Sequence, residues 1–145
     1  MCVNMLALQQ PLASDLRLII SVIKMNTDLE RMGDQAVNIT KNCEKIVKKT
    51  NQKPPLDLSP MVQGVRYMVR EAINSFVTSD LKLAQDVLDK DDEIDQFKAR
   101  AFDEVIAIIK EQPDKLEIGF STMLIARNLE KIADHATNIA EDVVF

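Results

Sequence analysis

One line of this sequence is written twice. DLERMGDQAVNI, residues 28–39, returns as NLEKIADHATNI, residues 128–139, displaced by 100 positions with six of twelve residues identical. Most of the remaining exchanges are near-neutral, such as Arg31 for Lys131 and Met32 for Ile132. Apolar residues that recur at steps of three and four mark one face of a helix. The repeat therefore demands two long helices with matching faces.

The flanking sequence extends both faces. Val22, Met25, Leu29, Met32, Ala36, Ile39, Cys43 and Ile46 form one continuous seam, and Ile125, Leu129, Ile132, Ala136, Ile139 and Val143 form its copy. Pro11 ends whatever precedes the first long helix, and Ser14 is its expected N-cap. TNQKPPLDLSP is the only clear linker, with Ser59 and Pro60 placed to cap and open the next helix. That helix ends near Thr78 to Asp80, and Asp80 is suited to cap the third, which runs to about Gln112 because the residue before Pro113 is pushed out of helical geometry. Asp114 with Glu117 reads as a capping box for the last helix. Short connections make the last three helices an up-down-up antiparallel bundle with the first long helix laid against it. The fold class is all-α.

Composition agrees and removes several functions. Of 145 residues, 46% are apolar and only 3 are Gly and 5 Pro, leaving little punctuation, while 28% are charged and 4% aromatic, as in long helices with one wet face. A net charge of −5 opposes binding to a phosphate backbone, so nucleic acid is not an expected partner. MCVNMLALQQPL lacks the basic start and long apolar core of a signal peptide, and no apolar run approaches the ~18 residues of a membrane span. A cytoplasmic location is expected. Cys2 and Cys43 have no CxxC spacing; reduced thiols are expected, with Cys43 a core residue.

The repeated line carries acid chemistry. Glu30 and Asp34, and likewise Glu130 and Asp134, stand four apart on one helix face beside the apolar seam. In the third helix the series Ala84, Val87, Ile94, Ala101, Val105, Ile108 puts Asp91 on the seam itself, with Asp95 one turn on. A buried carboxylate without a partner is costly. Antiparallel packing across the Pro113 turn sets Asp91 and Asp95 level with Glu130 and Asp134. Oxygen ligands on facing helices suit Mg, Mn or Fe better than a thiolate-type zinc site. The plain alternative is a set of solvated faces neutralised by Arg31, Lys131 and their neighbours.

LERMGDQAVNI, the upstream QQPLASDLRLIISVIKMNTDLE and the Asp91-x-x-x-Asp95 pair together resemble the PhoU family, regulators associated with bacterial phosphate-specific ABC transport. The resemblance implies two repeated three-helix bundles: residues 1–52 as part of a first repeat (the end of one helix and one long helix), 53–60 as linker, and 61–145 as a complete second repeat. A further helix and most of a second one, with their own Asp pair, are expected ahead of MCVNMLALQQP in a full chain of the family. Lys131 and Ala133 depart from the Arg and Gly usual in the motif. The resemblance further implies a multinuclear metal cluster, of Fe, Mn, Mg or Zn, at Asp91, Asp95, Glu130 and Asp134, with Glu30 and Asp34 as the first-repeat equivalents. Asn38 and Asn138, one turn past each Asp, are assigned outer-shell roles.

His135, the only histidine, is read as an exposed neighbour of Asp134 without a ligand role, and the seven Met as mostly seam filling. With no nucleophile–base pair and no Gly-rich phosphate loop, a non-enzymatic regulator is expected. The resemblance implies that it contacts the phosphate ABC transporter ATPase and a membrane sensor kinase, reaching the membrane only through those partners. A carboxylate-bridged metalloenzyme and a metal-free helical adaptor are the rival classes. The uncovered seam of the first long helix predicts a homo-oligomer, a dimer in which the first helices complete each other's bundles.

Overall fold

The computed structural model describes residues 1–8, 13–50 and 52–145. It contains α1 (Cys2–Leu8), α2 (Ala13–Thr50), α3 (Ser59–Thr78), α4 (Leu81–Glu111), a 3₁₀ turn (Pro113–Lys115) and α5 (Leu116–Val144). No strand occurs among the described residues. Helices α3, α4 and α5 form the up-down-up bundle, and α2 lies along α5. Helix α5 is central, in contact with α2, α3 and α4.

The bundle core follows the expected seams. Met61, Val65, Met68 and Ala72 of α3 share one core with Ala84, Val87 and Ile94 of α4, while Ala101 and Val105 are buried further along α4, Val105 against Gly119 of α5. Helix α5 contributes Ile125, Leu129, Ala136 and Ile139, while Ile132 and Val143 are half-buried at its edge. Near the turn the two last helices approach closely because Gly119 has no side chain. A Cβ there would lie 2.8 Å from Ile109 Cδ1 and 3.0 Å from Val105 Cγ1.

The helix ends match the sequence signals only in part. Asp80 caps α4 as expected, its Oδ1 accepting from the Leu83 N–H at 3.0 Å. Helix α3 stops at Thr78 because Ser79 adopts a left-handed backbone, φ 54° and ψ 39°. Ser59 is not a side-chain cap; its own N–H is capped by Asp57 Oδ1 at 2.9 Å. The Asp114–Glu117 capping box does not form. Residues 113–115 wind into a 3₁₀ turn, α5 starts without a side-chain cap, and Glu117 pairs with Lys49 of α2. Pro11 lies outside the described residues, and Ser14 is already inside α2.

Helix α2 departs most from its expected seam. It runs antiparallel to α5, fixed by Lys24 to Asp142 (3.3 Å) near one end and by Lys49 to Glu117 near the other. The line it turns inward passes through Asp28, Met32, Gln35, Ile39, Asn42 and Ile46, while Ala36 and Cys43 are exposed. Cys43 is therefore not a core residue. Meeting the bundle through α5 alone, with only the short α1 beside it otherwise, α2 buries a narrow stripe with polar members and leaves part of its apolar surface uncovered. No helix among the described residues is long and apolar enough to cross a membrane.

Candidate carboxylate site

Asp91 sits on the α4 seam between Val87 and Ile94, which are both buried, so its carboxyl is drawn toward the α4–α5 contact. Its Oδ1 is buried and has no hydrogen-bond partner. Burial, then the neighbouring charges of Asp95, Asp134, Glu130 and Asp92, push Asp91 up to about 6 from an ordinary 3.8. Asp134 is also raised, first by burial, then by Glu130 and Asp95, and by its hydrogen bond with Glu130. Lys98 of α4 pairs with Glu130 at 3.3 Å and partly offsets the repulsion on Asp134.

The two helices thus bring Asp91, Asp95, Glu130 and Asp134 into one electrostatic neighbourhood. They are not drawn in to the spacing of a closed coordination shell: among the described residues no group of three His, Cys, Asp or Glu has metal-holding geometry. The donor set nonetheless fits a hard cation, being all oxygen, short of positive charge and anchored on a buried oxygen without a partner. Asp91 and Asp95 from one helix and Glu130 and Asp134 from the other are the residues that would hold it.

Glu30 and Asp34 are placed differently. Both are exposed on α2, and neither side chain makes a hydrogen bond or ion pair with another described residue. Asn38 is exposed too; its backbone carbonyl accepts from Asn42 Nδ2.

A second polar cluster was missed in the sequence. Asp28 of α2 is 8% exposed, and its Oδ1 accepts from His135 Nδ1 at 2.8 Å and Asn138 Nδ2 at 3.1 Å, both on α5. His135 is accordingly half-buried and paired rather than an exposed bystander. Asn138 serves Asp28, with no bond to Asp134. The signal lay in the repeat itself: 28 and 128 hold Asp and Asn, and 35 and 135 hold Gln and His, so these exchanges change polar chemistry between otherwise matched helices.

An all-α bundle with a duplicated helix at its centre and acid groups between two of its helices carries its distinctive chemistry on helix faces. The PhoU domain model matches residues 1–43 and 58–143. The chain belongs to the PhoU family. A curated relative, the phosphate-specific transport system accessory protein PhoU homolog of Pseudomonas putida, is 37% identical over 145 residues, covering 99% of this chain and 57% of the relative. The chain thus spans less than two thirds of that relative's length. The crystal structure of PhoU from Pseudomonas aeruginosa superposes with a TM-score of 0.93 at 35% identity over 99% of this chain and 69% of that one. The phosphate transport system regulatory protein PhoU from Streptococcus pneumoniae gives 0.88 at 32% over 99% and 67%. These relatives are named as accessory and regulatory proteins, not as enzymes.

Proposed function

We propose that this chain works as a regulator of phosphate uptake and of the phosphate-starvation response, acting by contact with the ATPase of a phosphate ABC transporter and with a membrane sensor kinase, and holding metal between α4 and α5. Family membership and relatives named for phosphate-specific transport support the first part. The unpartnered, buried Asp91 Oδ1 among like charges supports the second. A bound cation supplies the positive charge that four acid groups lack and ties α4 to α5. A cytoplasmic location follows from such partners.

Elemental analysis of protein purified without chelator tests the metal. Glu130→Gln with Asp134→Asn should abolish bound metal with the helical content unchanged, because neutral amides keep the shape and ligate hard cations poorly. Glu30→Gln with Asp34→Asn should matter less, since those side chains face solvent. Metal-free wild type, or content unchanged when all four acids between α4 and α5 are neutralised, refutes the site.

The partners are tested by pull-down from a bacterial lysate at low and high salt. Transporter or kinase components should be recovered through a contact that weakens as salt rises, given the acidic balance of the chain. Recovery of nucleic acid instead overturns the reading. Assembly is expected through the first third of α2, where Leu16, Leu18, Ile20 and Ile23 are all exposed. Light scattering at micromolar concentration should report a dimer, and Leu18→Glu should shift it to monomer. A monomeric wild type rules this out.

A further inference from the structure

Helices α2 and α3 both lie on α5, yet no Cα of one comes within 8 Å of the other. A valley runs between them. Ile39 and Cys43 of α2 form one wall and Val62 and Arg66 of α3 the other, with Ile125 of α5 beneath and the linker at Lys53 closing one end. This part encloses about 600 Å³. It shares Val62, Gln63 and Arg66 with a second hollow of about 560 Å³ that continues along α3 and α5 past Val69, Leu129 and Ile132 to Arg70. From Ser59 to Arg70 the valley follows α3 for roughly 17 Å, three helical turns.

Its charge runs against the rest of the molecule. The chain carries −5 overall, but the rim presents Lys53, Arg66 and Arg70 against one acid, Asp57. Asp57 is already engaged with the Ser59 N–H, and Arg70 with Glu71. Lys53 and Arg66 have no ion pair among the described residues. The long walls are helical and no lining residue is in a strand, so there is no strand edge to extend by backbone pairing, and the fitting mode is an apolar helix face laid into an apolar groove.

We propose that this valley is a docking site for an acidic amphipathic helix of a partner protein, its apolar stripe against Ile39, Val62, Val69 and Ile132 and its carboxylates against Lys53 and Arg66. A second copy of this chain would set Arg66 near its own equivalent in a twofold contact, which the charge disfavours. The proposal builds on the reading of the chain as a partner-binding protein but not on which partner it has. The pull-down fails alone if the partner is misassigned, and the test below fails alone if the surface is.

The probe is a synthetic 18-residue helical peptide with Leu at i, i+4, i+7 and i+11 and Glu flanking that stripe, added to the full chain carrying Cys2→Ser. Anisotropy should show saturable binding, and iodoacetamide should label Cys43 about fivefold more slowly once the peptide is bound, because it lines the wall. Lys53→Glu with Arg66→Glu should weaken binding about tenfold with unchanged far-UV spectrum and melting temperature. Equal binding of a Lys-flanked or stripe-scrambled peptide overturns the proposal. So does a Cys43 left unprotected at saturation, or one already protected without peptide in a dimer that Val62→Glu dissociates.

Discussion

Asp91→Asn should make the metal-free protein more stable at pH 7, by about 1–2 kcal/mol once solvent screening is discounted, and should raise its melting temperature by about 3–6 °C. The reason is the raised carboxyl. Asp91 titrates near 6 in the folded chain against an ordinary 3.8, so the folded state holds that proton more tightly. Its contribution to stability is fully present below about pH 4 and is lost as pH rises through 6. At neutral pH the ionised group sits part-buried among like charges, and a neutral amide of the same shape removes that strain. The advantage of Asn should shrink to nothing near pH 4, and metal content should move the opposite way, falling with the substitution. Metal uptake by the wild type should weaken below about pH 6 for the same reason. Thermal melts of chelator-treated wild type and variant at pH 7 and pH 4 check this; a variant less stable than wild type at pH 7 contradicts the buried-charge account.

Asp28→Ala should cost about 2–3 kcal/mol, with the damage confined to α2. Removing the carboxylate leaves His135 Nδ1 and Asn138 Nδ2 without their acceptor in a partly buried contact, and an abandoned polar group costs more than the bond contributed. Asp28→Asn should cost less, since an amide oxygen remains to accept. Amide exchange gives the sharper readout. Protection should drop along α2 and persist in the α3–α4–α5 bundle, whose core draws only Met32 and Ile46 from α2 among its buried residues. Uniform loss over all helices would mean that α2 and the bundle unfold as one unit.

The bundle was legible because its seams are periodic and each of its helices meets two others. Ala84, Val87, Ile94, Ala101 and Val105 fall where steps of three and four place them, and Asp91 stood out as a carboxyl on that series. Helix α2 was read in part: Met25, Leu29, Met32, Ile39 and Ile46 pack on the core, but Ala36 and Cys43 are exposed because the apolar periodicity describes more surface than α5 covers. Its contact line is shifted round the helix, bringing in Asp28 and Asn42 and leaving Cys43 outside. The acid neighbourhood followed from counting residues either side of the Pro113 turn. The pairing of His135 with Asp28 did not, since nothing in a list of spacings says which faces of the two repeated helices meet. The failed capping box is of the same kind: Glu117 has the right offset, but a lysine from another helix competes for it.

The contact between α2 and α5 has a built-in asymmetry. Lys24 meets Asp142 and Lys49 meets Glu117, which centres the antiparallel contact close to Gly33 and Ala133, themselves matched positions of the repeat. Two such helices are nearly interchangeable, so each has the pattern to pair with its own kind in a neighbouring molecule. The polar exchanges favour the mixed pair. Two copies of α5 in that register would set His135 against Asn128, and two copies of α2 would set Asp28 against Gln35; only α2 against α5 joins carboxylate to imidazole and Lys24 to Asp142. Divergence at a few sites makes the mixed pair the one that sets opposite charges together, so the duplicated surface favours its partner helix over its own duplicate.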